Sequence, residues 1–303
     1  MPNPARRAWH TALLLTLLVG SAALLGCTLW EPTHFQGDLA YRHVEAQLAM
    51  GPRTPDSAGS QKLQDYIVGE LQRRGWTVET QEFTFRDVPL CNIIARRGEG
   101  PIVLLGAHYD TRREADRDPD PARRDEPVPG GNDGASGVAI LLELARVLGR
   151  QNLDVQVWLA FFDGEDQGEI EQWPWSVGAA YMAENLKPGE VPRYVVIADM
   201  VGDADQQLYW EQFSDATMKQ KIWDLAKELG YSDTFTPTVR FPILDDHLPF
   251  LKRGIPAVDI IDFDYPYWHT VADTADKVST QSLERVGRVL EELVRRRVGL
   301  EDQ

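Results

Sequence analysis

Four segments of this 303-residue chain share one design. PIVLLGAHYD (101–110), VQVWLAFFDGED (155–166), RYVVIADM (193–200) and IPAVDIIDFD (255–264) are short, apolar and rich in β-branched residues. Such runs suit strands buried on both faces, the setting of a parallel sheet covered by helices. Helical patterns separate most of them: GVAILLELARVLGR (137–150), VGAAYMAENL (177–186) and MKQKIWDLAKELG (218–230). TQSLERVGRVLEELVRRR (280–297) reads as a C-terminal helix with a Thr or Ser cap. The alternation predicts an α/β fold, a three-layer αβα architecture around a mostly parallel, doubly wound mixed sheet. Ahead of it, a helical pattern from Leu39 to about Arg74 is broken by GPRTPDSAG. The second half, SQKLQDYIVGELQRRG (60–75), has a Ser cap candidate and a terminal Gly, and WTVETQEFTF (76–85) alternates as an exposed strand does.

Three of the four apolar segments end in residues that bind metals: His108 and Asp110, Glu165 and Asp166, and Asp199, with His269 a little beyond the fourth. In open α/β sheets ligands bind at the carboxyl ends of strands, so these distant residues are expected to share one crevice. FFDGED (161–166) sharpens the point. Asp163, Glu165 and Asp166 repel one another, and the end of a buried strand tolerates them only beside something positive. A metal resolves the repulsion if one carboxylate ligates it and its neighbour stays free as a general base. GGNDGASG (130–137) lacks the dinucleotide fingerprint. Asp133 there is either a helix cap or a carboxylate bridging two ions. His108 is either a core histidine or a ligand, and Trp268 beside His269 is a candidate pocket wall. The insert 112–130 carries five Arg against six Asp or Glu, and is either a solvated loop or a lid at the crevice rim.

The formal net charge of −16 argues against a nucleic-acid partner, which a basic surface would serve. Arg6 and Arg7, then the apolar TALLLTLLVGSAALLGC (11–27), form a secretion signal, and LLGC resembles a bacterial lipoprotein box with Cys27 lipidated. A short transmembrane anchor is the other reading, although the run is short for a span. The expected organisation is a signal peptide at 1–27, a tether at 28–38 and one catalytic domain at 39–303, outside the cytoplasm on a lipid anchor in a bacterial membrane. The other cysteine is Cys91, so a lipidated Cys27 leaves no intrachain disulfide.

HYD, NDGASG, FFDGED, ADMVG, DDHLPFLKRGIP and YWHT, in this order, resemble the zinc aminopeptidase and glutaminyl cyclase superfamily, metallopeptidase family 28. The resemblance covers about residues 39–298, and the last two motifs look most like glutaminyl-peptide cyclotransferases. It implies a cyclase zinc held by Asp133, Asp166 and His269, with Glu165 as general acid/base and Asp245 beside it. Asp199 is a second acid near that base. Trp268 corresponds to a pocket tryptophan, Trp175 or Trp173 to a second, and Tyr265 to a pocket phenylalanine. In the dizinc aminopeptidases, His108 and Asp199 hold a second ion and Asp133 bridges. One departure stands out: the family commonly has Glu where this chain has Asp166. Three functions follow. The first, favoured by Asp245-Asp246 and by Trp268 before His269, is conversion of N-terminal glutamine of peptides to pyroglutamate with release of ammonia. The others are a dizinc aminopeptidase that removes N-terminal residues, and a non-catalytic binding module.

Overall fold

The structure, a computed structural model, describes residues 32–300. The signal segment, Cys27 and residues 28–31 of the expected tether lie outside the described residues. Two helices lead: α1 (Gly37–Leu48) and α2 (Ala58–Arg73). Ser57, not Ser60, caps α2, accepting from Ser60 N at 3.1 Å. The tether was expected to run to residue 38, but Phe35 is fully buried and its backbone N–H donates to Glu291 Oε2 at 3.0 Å. The packed body therefore begins by His34, because an aromatic ring at 35 has core to fill.

β1 (Thr77–Phe85) alternates in exposure as read from the sequence, and pairs antiparallel with β2 (Val88–Arg97), a strand not anticipated. Next come β3 (Ile102–His108), α3 (Ala135–Leu148), β4 (Gln156–Phe162), α4 (Val177–Glu184) and β5 (Tyr194–Asp199). They are followed by β6 (Leu208–Glu211), α5 (Ala216–Glu228), β7 (Phe235–Phe241), α6 (His247–Lys252), β8 (Ala257–Ile261) and α7 (Thr280–Arg295). The six-stranded sheet has the order β1-β2-β4-β3-β5-β8, and β4, β3, β5 and β8 are mutually parallel. β6 and β7 form a separate two-stranded ribbon.

The sheet is covered on both sides, and the two-residue period of a strand explains how. Val157, Leu159 and Phe161 of β4 join the core beneath α1, α2, α3 and α7. Trp158, Ala160 and Phe162 alternate onto the opposite face, beneath α4 and α6. This is the three-layer αβα arrangement expected from the apolar runs. The chain steps from β3 to β4 on one side, then back across β3 to β5 and β8 on the other. The switch point falls at the end of β3, and its last residue is His108. Register aligns the strand ends: His108 lies opposite Phe162, and Asp199 opposite Ile261. Gly137 lets α3 press onto this end of the sheet, since a Cβ there would sit 2.1 Å from the carbonyl oxygen of Ala198.

Candidate metal centre

Each site residue is held by local structure that explains its aim. His108 and Asp199 close β3 and β5, and both are buried. Asp133 precedes α3. It is not the helix cap; Gly134 takes that position at φ +87°, a left-handed conformation that suits glycine. The Asp133 turn is tied instead to Asp273, whose carboxylate accepts from the N–H groups of Asn132 (2.8 Å) and Asp133 (3.1 Å). The DGED turn is tied to Asp110, which accepts from Glu165 N (3.0 Å), Asp166 N (3.2 Å) and Gln167 Nε2 (3.0 Å). Asp110 thus positions the turn rather than joining the ligands. Met200 and His269 sit at φ +45° and +56°. Such strain costs on the order of 1–3 kcal/mol per residue and gathers at functional sites.

The five ligand candidates converge. His108 Nε2 lies 3.0 Å from Asp199 Oδ1 and 3.2 Å from Asp133 Oδ1. His269 Nε2 lies 3.0 Å from Asp166 Oδ1 and 3.8 Å from Asp133 Oδ2. His108, Asp133 and Asp199 form one donor group and Asp133, Asp166 and His269 a second, each with its ligand atoms within 4.8 Å of one another. Imidazole and carboxylate donors are those zinc takes. Each histidine turns its other nitrogen to an oxygen, as metal-bound imidazoles do. Nδ1 of His108 faces the Asp110 carbonyl at 3.2 Å, and Nδ1 of His269 faces Asp116 Oδ1 at 3.3 Å. Asp133 Oδ2, Asp166 Oδ2 and His269 Nε2 are buried without a hydrogen-bond partner. Orphaned buried donors of this kind fit a bound cation.

The electrostatics agree. Burial, with the Asp133 charge adding to it, pushes Asp166 up to about 6. Burial likewise raises Glu165 and Asp245 well above the carboxylate range, and Asp246 to about 8. His247 and Asp259, both fully buried, back Asp245. Positive charge answers from three sides. Burial opposes protonation of His108, but Asp199 and the hydrogen bonds to Asp110, Asp133 and Asp199 overcome it and hold the imidazole well above its usual value. Arg53 is fully buried, donating to the carbonyls of Pro129 and Gly130. Arg112, also buried, donates to the carbonyls of Asp166 (3.1 Å) and Gly168 (3.0 Å) and to Asp116. Asp163 is accounted for separately: its Oδ2 accepts from Cys91 N (3.0 Å) and the Tyr109 hydroxyl (2.9 Å).

Asp133, Asp166, Asp199 and His269 line a cavity of about 150 Å³, into which Glu165 and Asp245 also face. Trp268 packs its ring 3.9 Å from that of His269, and Trp175 stacks on the same imidazole at 6.0 Å and 17°. Tyr265 does not line the cavity. Its hydroxyl donates to Asp273 Oδ1 at 2.6 Å, which draws the ring under the site, and Phe263 takes the wall position. Trp173 is core, packed edge-on against Phe85. The insert is solvated over 119–127, while both of its flanks are anchored. Ala115 and Val128 are buried, Arg117 N donates to the His269 carbonyl at 3.2 Å, and Asp118 Oδ2 accepts from Val271 N at 3.1 Å. It straps the His269 turn in place. Asp116, Asp273, Arg53 and Arg112 escaped the sequence reading. The mixed charge of the insert was the one signal for two of them.

Comparison with known proteins gives the same picture. Residues 92–294 match the family described as peptidase family M28. A curated glutaminyl-peptide cyclotransferase of Gloydius blomhoffii is 27% identical over 294 residues, covering 80% of this chain and 76% of its own. Among solved structures, a Zn-dependent exopeptidase from Parabacteroides distasonis is 34% identical, with TM-score 0.82 over 86% of this chain and 98% of that one. The glutaminyl cyclase of Porphyromonas gingivalis is 33% identical, with TM-score 0.83 over 87% and 99%. With the fold, the donor set and the family match in agreement, the chain belongs to peptidase family M28 and is a zinc enzyme of that family.

Proposed function

We propose that this enzyme is a glutaminyl-peptide cyclotransferase, converting N-terminal glutamine of peptides to pyroglutamate and releasing ammonia. The observation that supports this is a difference between the two donor groups. In the first, His108 hydrogen-bonds Asp199 and faces the Asp110 carbonyl, and neither His108 nor Asp199 leaves a buried side-chain atom unpaired. The orphaned atoms, Asp133 Oδ2, Asp166 Oδ2 and His269 Nε2, all belong to the second. One ion at Asp133, Asp166 and His269 is the arrangement the cyclase resemblance implies.

Zinc held there would supply a Lewis acid for the γ-amide carbonyl oxygen. The remaining work falls to side chains. Glu165, whose carboxylate burial makes a stronger base, takes a proton from the α-amine as that nitrogen bonds to the γ-carbonyl carbon. The bond to the amide nitrogen then breaks, and Glu165 returns the proton so that ammonia leaves. Asp245, on the same cavity wall, supports Glu165 through this transfer. Trp268 and Trp175 narrow the cavity around one side chain and keep water from competing with the α-amine.

A second reading, the aminopeptidase, draws on Asp133. Its two oxygens face the two groups, Oδ1 toward His108 and Oδ2 toward His269, as a carboxylate bridging two ions would. One assay separates the readings. Zinc-loaded protein given a glutaminyl peptide is expected to release ammonia in step with a pyroglutamyl product whose peptide bond is intact. Free amino acid without pyroglutamate, with two zinc ions per chain, would overturn the cyclase in favour of hydrolysis. On the same reading the domain sits outside the cytoplasm on a lipidated Cys27. Cys27→Ser is then expected to move the protein to the soluble fraction, and unchanged membrane fractionation would refute the anchor.

A further inference from the structure

Beside the metal cavity runs a second, larger depression of about 500 Å³. Its walls come from three elements: Phe83 and Phe85 of β1, Val177 and Tyr181 of α4, and Leu248 of α6. The aromatic lining is built rather than incidental. Phe83 stacks on Tyr181 at 4.1 Å and 7°, and Phe85 is braced edge-on by Trp173 at 4.9 Å. The groove is continuous with the metal cavity, since Trp175, Leu244 and Asp245 line both. Leu244, on that shared lip, is 57% exposed, a large apolar side chain left in water at the junction.

We propose that this groove seats the second and third residues of the peptide substrate and selects peptides with large apolar side chains there. The inference rests on the cavity being where the substrate's N-terminal residue binds. A cavity of about 150 Å³ holds one residue, so the rest of the peptide must leave across a shared wall. The groove beyond Leu244 lies within the roughly 300–1,000 Å³ typical of ligand sites. Its largely aromatic and aliphatic lining rewards apolar side chains, with Glu184, Asp245 and Lys252 as its charged members. Covering Leu244 and Phe83 removes apolar surface from water in the enzyme as well as in the peptide.

The test compares Gln-Phe-Leu-amide with Gln-Gly-Gly-amide on the zinc-loaded, full-length enzyme. Burial of two apolar side chains is expected to favour the first by at least about tenfold in kcat/KM. Leu248→Glu, which puts a charge in the groove, and Ala180→Phe, which fills it, are each expected to reduce that ratio to within about twofold. A second variant guards against misfolding of the first. Equilibrium binding of both peptides to Glu165→Gln protein gives the same comparison without any reaction. Equal affinities for the two peptides there, or a kinetic ratio that both variants leave intact, would overturn the proposal. So would variants that abolish self-association while leaving the peptide preference unchanged, since the occupant would then be a second copy of the chain. If the preference holds while a free amino acid rather than ammonia is released, the groove stands and the cyclase reading falls.

Discussion

Asp116 Oδ1 lies 3.3 Å from Nδ1 of His269, on the side of the imidazole that faces away from the cavity. A carboxylate there fixes the ring's orientation and strengthens Nε2 as a donor. Asp116 is itself held by Arg112, whose Nε and Nη2 reach its two oxygens at 2.8 and 3.1 Å. Asp116→Ala is therefore expected to weaken zinc binding about 10- to 100-fold. Competition against a chelator of known affinity measures this. Unchanged affinity would show that the insert does not act on the metal.

Glu165 is the side chain asked to carry the proton. Glu165→Gln keeps the shape and removes the base, and turnover is expected to fall by about 10²- to 10⁴-fold. Zinc content should stay at the wild-type level, because Glu165 belongs to neither donor group. Turnover within a few-fold of wild type would take Glu165 out of the mechanism.

Asp166 stands where the resemblance leads one to expect glutamate, and its turn is held at both ends. Asp110 holds its N–H, Arg112 holds its carbonyl, and its carboxylate still comes within 3.0 Å of His269 Nε2. Restoring the longer side chain should harm rather than help. Asp166→Glu puts a longer arm on a turn fixed at its N–H and its carbonyl, and a misplacement of about 1 Å at a reacting site costs on the order of 10²-fold. We expect kcat/KM to drop at least about tenfold, with the thermal midpoint little changed. A variant as active as wild type would mean that the turn is slack.

The layers of the fold were legible because they depend on simple periodicities. Apolar runs named the buried strands, and two of those runs end on His108 and Asp199. Asp133, Asp166 and His269 lie in turns, and it was the resemblance of their motifs that singled them out. What could not be read is what depends on contacts between distant segments. Asp110 stands beside His108 and was read with it, yet its carboxylate turns to the 165–167 backbone. Tyr265 was assigned to the pocket by its place in YPYWHT, but a hydroxyl needs a partner when buried, and Asp273 supplies it below the cavity. Arg53 lies between two prolines in a helix break, where nothing local distinguishes a buried cation from a surface one. β2 was missed because VPLCNIIARR mixes its polar and apolar residues without a clear period.

Asp163, the first acid of FFDGED, gives a test that needs no substrate. Burial, reinforced by the Asp110 charge, raises its carboxyl to about 8, while an unfolded aspartate titrates near about 4. The folded state therefore holds a proton that the unfolded state releases between those values. The stabilisation from the neutral acid is complete below about pH 4, declines across the interval and is gone once pH passes about 8. Asp163→Asn cannot ionise, and its carbonyl can still accept from Cys91 N and Tyr109. With zinc in excess, the variant should match wild type in urea unfolding at about pH 4 and exceed it by a few kcal/mol at about pH 9. Parallel stability curves across that range would show that the buried acid is ionised in the fold, and that the positive groups around the site reach farther than Asp166.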